Sequence, residues 1–143
     1  MSITCLAVVF EFASSHRLFL PELSNDENEA LFGKCSNPNG HGHNYVLDVR
    51  ISGEVNPRTG MLIDAGRVKS LVQSTIIDDI DHRDLNRDVT WLLNKVPTTE
   101  VVANAIFERL TDALRGEPLP VKLDSITLHE TRRISVTVSR RNS

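Results

Sequence analysis

Between Cys35 and Tyr45 the chain reads Cys-Ser-Asn-Pro-Asn-Gly-His-Gly-His-Asn-Tyr, which places one thiol and two imidazoles within eleven residues. Proline fixes φ while Asn and Gly tolerate positive φ, so Asn37-Pro38-Asn39-Gly40 is a turn signal. Beyond it Tyr45, Leu47, Val49 and Ile51 recur at every second position, the period of a half-buried strand. The same parity carried back sets His41 and His43 on the apolar face. Residues at i and i+2 on a strand lie roughly 6.5–7 Å apart at the backbone. Both rings can therefore reach one ion at metal–nitrogen bonds of about 2.0–2.1 Å. The competing reading is a pair of partly exposed strand histidines, and only the rest of the chain can favour one over the other.

A third imidazole comes from upstream. Leu6 to Phe12 reads as a strand in which Leu6, Val8, Phe10 and Phe12 share a parity, and Ser14 and His16 continue it. Cys5 falls on the opposite parity and reads as a small hydrophobe. If the two strands pair antiparallel, His16 at the end of the first lies near His41 and His43 at the start of the second. Three protein nitrogens with an open fourth position make the arrangement of a catalytic zinc site rather than a structural one. From Arg17 to Gly40, Pro21, Asn25, Asn28 and Gly33 break any period. That stretch reads as a long loop, of a kind that is often functional, delivering Cys35 to the second strand.

Two further groups carry chemistry. Asp81-His82 sets a carboxylate beside an imidazole, the pairing that orients a general acid/base, although a solvated acidic helix end with Asp78 and Asp79 is the commoner explanation of such a cluster. Glu130 shares a parity with Ile126 and Leu128, so its carboxylate faces inward at a strand end. There it either meets solvent at an edge or accepts the paired N–H donors of a guanidine-like group on a ligand.

The elements that must position these groups follow from pattern. After the turn at Asn56-Pro57-Arg58-Thr59-Gly60, Met61 to Ile63 reads as a short extended return. Asp64 caps a helix with a stripe of Val68, Leu71, Val72, Ile76 and Ile80. Thr98 or Thr99 caps a second helix, with Glu100 in its first turn, buried positions Val102, Ala103, Ile106, Leu110 and Ala113 or Leu114, and Gly116 at its end. Val121 to Glu130 and Ile134 to Val138 form a closing hairpin. The expected fold is α+β: a four-stranded antiparallel sheet with two helices on one face, in the order ββααββ. The other face is left for solvent or a partner subunit.

Composition narrows the class. One domain spanning residues 1–143 is the natural expectation for this length, with 40% hydrophobic and 24% charged residues. A net charge of −3 offers no general attraction to nucleic acid or an anionic membrane. No apolar run approaches the roughly 20 residues of a spanning helix, and the start lacks a secretory pattern. Two cysteines are not a disulfide framework and fit a reducing cytoplasm.

Taken together, these stretches resemble the 6-pyruvoyltetrahydropterin synthase family, which includes the 6-carboxytetrahydropterin synthases. The resemblance runs through Phe12-Ala13-Ser14-Ser15-His16-Arg17-Leu18, Cys35 to Tyr45, Thr59-Gly60-Met61 with Asp64, Asp81-His82 with Leu85-Asn86, Pro97-Thr98-Thr99-Glu100, and His129-Glu130-Thr131. It implies the tunnelling fold, in which strands of several subunits join into a barrel, as a homohexamer of two stacked trimers with active sites at subunit interfaces. It further implies Zn2+ held by His16, His41 and His43, Cys35 as the proton-abstracting thiolate, and Asp81 and His82 as the partner acid/base pair. Glu130 becomes the anchor for the pterin's guanidine-like edge, with Thr98, Thr99 and Glu100 near that pocket. The implied substrate is 7,8-dihydroneopterin triphosphate. Ser14-Ser15, Val101 after Glu100, and the Arg132-Arg133 pair after Thr131 depart from the usual pattern.

Three functions follow from the resemblance. The first is a lyase forming 6-pyruvoyltetrahydropterin with triphosphate elimination, on a biopterin-like route. It is favoured by the five residues between Cys35 and His41. The second is a 6-carboxytetrahydropterin synthase of the 7-deazaguanine (queuosine) route, releasing acetaldehyde. The third is a zinc- or pterin-binding module without turnover, which would have no need of Cys35, Asp81 and His82.

Overall fold

The first alternating run forms β1 (Thr4–His16), and the run beyond Gly40 forms β2 (His41–Gly53). They pair antiparallel throughout, with Phe12 opposite Tyr45, Ser14 opposite His43 and His16 opposite His41. Val8, Phe12, Tyr45, Leu47, Val49 and Ile51 are buried on one face. Because a slip of one residue would turn that whole set to solvent, the apolar pattern fixes the register. The register in turn fixes the histidines. The chain enters β2 through Gly40 at φ +70°, where a Cβ would stand 3.1 Å from the His16 carbonyl oxygen.

The computed structural model describes residues 2–118 and 120–140. Its sheet has five strands in the order β3-β1-β2-β4-β5, adding β3 (Arg83–Asp84), β4 (Val121–His129) and β5 (Ser135–Ser139). β4 pairs antiparallel with β2 and with β5. β3 runs parallel to β1, with Ser14 beside Arg83 and Ser15 beside Asp84. The expected four-stranded antiparallel sheet is thus corrected to a mixed five-stranded one. The added strand is made by tertiary hydrogen bonds: His82 N–H donates to the Ala13 carbonyl at 2.6 Å and Leu85 N–H to that of Ser15 at 2.8 Å. Two residues show no period.

Two helical runs cover the buried face. The Asp64 side chain accepts from Gly66 N–H at 2.9 Å and starts α2 (Ala65–Val72). The run continues through a π-helical turn (Gln73–Ile77) into α3 (Asp78–Ile80). The extra residue in that turn shifts the helical phase, and Val68, Val72, Ile76, Ile77 and Ile80 are all buried while Leu71 is half-buried. Thr98 caps α4 (Thr99–Arg115), its hydroxyl accepting from Val101 N–H at 3.1 Å. The α4 stripe of Val102, Ala103, Ile106, Leu110 and Leu114 packs into the same core as Leu47, Ile126 and Leu128. Each such side chain contributes about 1.5–3 kcal/mol by leaving water.

Two loop readings change. The stretch from Arg17 to Gly40 contains α1 (Asn25–Phe32) and a 3-10 turn (Gly33–Ser36). Ser24 and Glu27 form a reciprocal capping box that starts α1. Met61 to Ile63 forms no strand; the Met61 carbonyl instead accepts from Asn56 N–H at 2.9 Å and closes the turn. No described helix is long and apolar enough to cross a membrane.

Candidate active site

His16, His41 and His43 bring one ring nitrogen each to within 4.8 Å of the others. His16 is buried, and its Nδ1 donates to the Pro97 carbonyl at 2.9 Å. That bond fixes the tautomer and leaves the Nε2 lone pair facing His41 Nε2 at 3.0 Å. Two Nε2 atoms so close share either a proton or a cation. His43 Nε2 is buried and finds no hydrogen-bond partner among the described residues. Its nearest charged group is Glu130 Oε1 at 3.6 Å. Tetrahedral bonds of about 2.05 Å set ligand nitrogens about 3.3 Å apart; the His16 and His41 nitrogens stand near that spacing, and the wider separations in the cluster must close for all three to share a zinc-sized ion.

Electrostatics agree with that fit. Burial lowers the pKa of His16, partly opposed by its bond to Pro97, and lowers that of His43 against the pull of Glu130. Neutral imidazole is the form that binds metal.

Glu130 stands beside the cluster rather than in it. The Thr99 hydroxyl donates to Glu130 Oε2 in a short contact, while Oε1 faces His43. Thr99 is buried at the first turn of α4, so the helix start holds the carboxylate's orientation. Thr98 spends its hydroxyl on the helix cap, and Glu100 is exposed; neither is brought to Glu130. Glu130, His43 and Arg132 line an open pocket of about 660 Å³.

Asp81 and His82 form the expected pair, with Asp81 Oδ1 3.0 Å from His82 Nδ1. The Ala13 N–H donates to the same Asp81 oxygen at 2.9 Å and, with His82, holds the carboxyl below its ordinary pKa. His82 is exposed at φ +60°, and it shares with His43 the lining of a groove of about 550 Å³. Cys35 lies in the 3-10 turn, its carbonyl accepting from Leu18 N–H at 2.9 Å. Its thiol is free, half-buried and outside the imidazole cluster. Arg17 braces the same turn: its Nε donates to the Ser36 carbonyl at 2.8 Å. The Pro97 carbonyl was not foreseen, because a backbone acceptor leaves no mark in a side-chain pattern.

An α+β fold with three convergent imidazoles beside a hydroxyl-anchored carboxylate defines a protein able to hold a metal at the end of its sheet. The family model described as 6-pyruvoyl tetrahydropterin synthase matches residues 5–141, and the chain belongs to that family. It is 44% identical over 120 residues to the 6-pyruvoyl tetrahydrobiopterin synthase of Pongo abelii, covering 84% of this chain and 80% of that one. The solved structure of the Caenorhabditis elegans 6-pyruvoyl tetrahydropterin synthase superposes with a TM-score of 0.88 at 39% identity, over 99% of this chain and 98% of the other. The 6-carboxy-5,6,7,8-tetrahydropterin synthase of Bacillus subtilis is 31% identical over 96 residues, covering 64% of this chain and 62% of its own.

Proposed function

We propose that this chain is a zinc-dependent lyase that converts 7,8-dihydroneopterin triphosphate to 6-pyruvoyltetrahydropterin with elimination of triphosphate. The carrying observation is the three-histidine cluster, ordered by the Pro97 carbonyl and flanked by the Thr99-anchored Glu130. The Pongo abelii and Homo sapiens relatives named for the pyruvoyl product match more of the chain, at higher identity, than the Bacillus subtilis relative named for the carboxy product. The five-residue gap from Cys35 to His41 favours the same product.

When bound by His16, His41 and His43, zinc supplies Lewis acidity toward the adjacent hydroxyls of the substrate side chain and acidifies the neighbouring C–H and O–H bonds. Glu130 accepts the paired N–H donors of the pterin's guanidine-like edge, and the Thr99 hydroxyl keeps its plane fixed. Cys35, as thiolate, removes a carbon-bound proton. His82, oriented by Asp81, takes or returns a proton elsewhere in the internal redox rearrangement. No external oxidant is required. The assembly we propose is a homohexamer of two trimers in which the free edge of β5 takes the strand of a neighbouring subunit and completes the pterin site. Two free cysteines fit a reducing cytoplasmic setting.

The test is product identification after anaerobic incubation of zinc-loaded protein with 7,8-dihydroneopterin triphosphate. A pyruvoyl side chain with released triphosphate supports the reading. A carboxyl product with acetaldehyde moves the protein to the 7-deazaguanine route, and zinc binding without turnover makes it a binding module.

A further inference from the structure

The segment that presents Asp81 and His82 is braced from behind by residues the reaction does not use. In the π turn the backbone ladder lengthens, with Asp78 N–H donating to the Gln73 carbonyl. The Thr75 carbonyl, inside that turn, accepts from Arg109 Nε at 3.4 Å and Nη2 at 3.3 Å. The same Nη2 meets Asp79 Oδ2 at 3.2 Å. Trp91 Nε1 donates to that carboxylate oxygen at 3.1 Å, and the guanidinium carbon lies 4.8 Å from the Trp91 ring centroid. One side chain on α4 therefore ties the π turn and the turn at Thr90–Leu92 together. A planar guanidinium serves all three partners at once, which a lysine ammonium does not.

Two residues beyond Asp79 the chain must leave the helix in a demanding geometry. Asp81 is extended and takes the Ala13 N–H, and His82 follows at φ +60°, a region non-glycine residues enter only under constraint. π turns occur frequently at functional sites, and this one ends four residues before Asp81 and five before His82. We propose that Arg109 is a positioning residue that, through Thr75, Asp79 and Trp91, sets the exit of α3 so that Asp81 and His82 reach Ala13 and face the groove shared with His43. The proposal rests on the reading of Asp81–His82 as the proton-transfer pair. An ordinary surface ion pair, by contrast, would leave turnover untouched.

The test uses Arg109→Lys, which keeps the charge and loses the fork, and Trp91→Phe, which keeps the ring and loses Nε1, both in zinc-loaded protein. Arg109→Lys is expected to lower kcat about tenfold, as small misplacements of reacting groups do. Trp91→Phe has a smaller effect in the same direction. KM and zinc content stay unchanged, and amide exchange at Asp81 and His82 quickens. In a His82→Ala background Arg109→Lys causes no further loss, because the two act through one group. An undiminished kcat in both variants, or an equal loss in the His82→Ala background, overturns the proposal. So does a lower thermal midpoint with kcat and exchange at Asp81 and His82 unchanged. If His82→Ala alone leaves kcat intact, the proton-transfer reading of the pair fails instead, and amide exchange still decides whether Arg109 braces the segment.

Discussion

Nδ1 of His16 lies 2.9 Å from the carbonyl oxygen of Pro97, which joins the end of β1 to the residue before the α4 cap. A carbonyl only accepts, so Nδ1 carries the hydrogen and the lone pair sits on Nε2, toward the other two imidazoles. The orientation of the most buried of the three imidazoles is thus set by backbone on a different element.

Separating metal binding from turnover is the first expectation. His41→Ala removes one of three nitrogens and is expected to lose zinc, read as metal content after gel filtration. Cys35→Ala, outside the cluster, keeps its zinc and loses turnover. Full activity in Cys35→Ala would remove the thiol from the mechanism.

Thr98 and Thr99 are adjacent and are expected to fail differently. Thr99→Val leaves Glu130 without its donor and should raise KM about tenfold, corresponding to roughly 1.4 kcal/mol for a hydrogen bond to a charged group. Thr98→Ala removes the helix cap and should cost about 1 kcal/mol of stability with KM unchanged. Steady-state kinetics beside denaturant melts distinguish them; identical profiles would contradict the assignment.

Acid should destabilise the zinc-free protein. Burial keeps His16 and His43 below their ordinary value of 6.5 in the fold. As pH falls, the unfolded chain takes up these protons first, so stability declines below about pH 6.5 and the decline ends below the folded values. Protons and metal compete for the same lone pairs, so zinc opposes the loss and is itself released on the acid side. Thermal midpoints measured with and without zinc between about pH 8 and about pH 5 check this; a flat profile for the zinc-free protein would refute it.

Gly40→Ala tests the entry to β2. Its φ of +70° disfavours any side chain, and a Cβ 3.1 Å from the His16 carbonyl oxygen would push that strand end back slightly. A loss of about 1–2 kcal/mol is expected from the backbone alone. Zinc affinity should fall with it, since His16 and His41 move apart. Unchanged stability and affinity would show that the turn adapts.

Much of this was legible because alternation carries direction. Tyr45, Leu47, Val49 and Ile51 announce the buried face of β2, and counting back by twos reaches His43 and His41. The resemblance to the pterin synthase family then pointed to zinc as the ion they would hold. β3 was not legible, since two residues have no period and the bond from His82 N–H to the Ala13 carbonyl is a tertiary contact. α1 was hidden because its exposed polar surface gives little apolar stripe, although Ser24-Asn25-Asp26-Glu27 spells the capping box that starts it. The π turn lay inside a stripe that reads equally well as unbroken helix. Which of Thr98 and Thr99 caps α4 depended on hydrogen bonds that either residue type can make.

The bond from His16 to Pro97 spans 81 positions of the chain, and that from Thr99 to Glu130 spans 31. Closures this long are expected late in folding, because chain entropy is lost before the contact repays it. A β1–β2 hairpin standing alone would own all three imidazoles yet leave the first free to spin. If zinc is held there, its capture during refolding is expected to follow the arrival of α4 rather than the zipping of the hairpin.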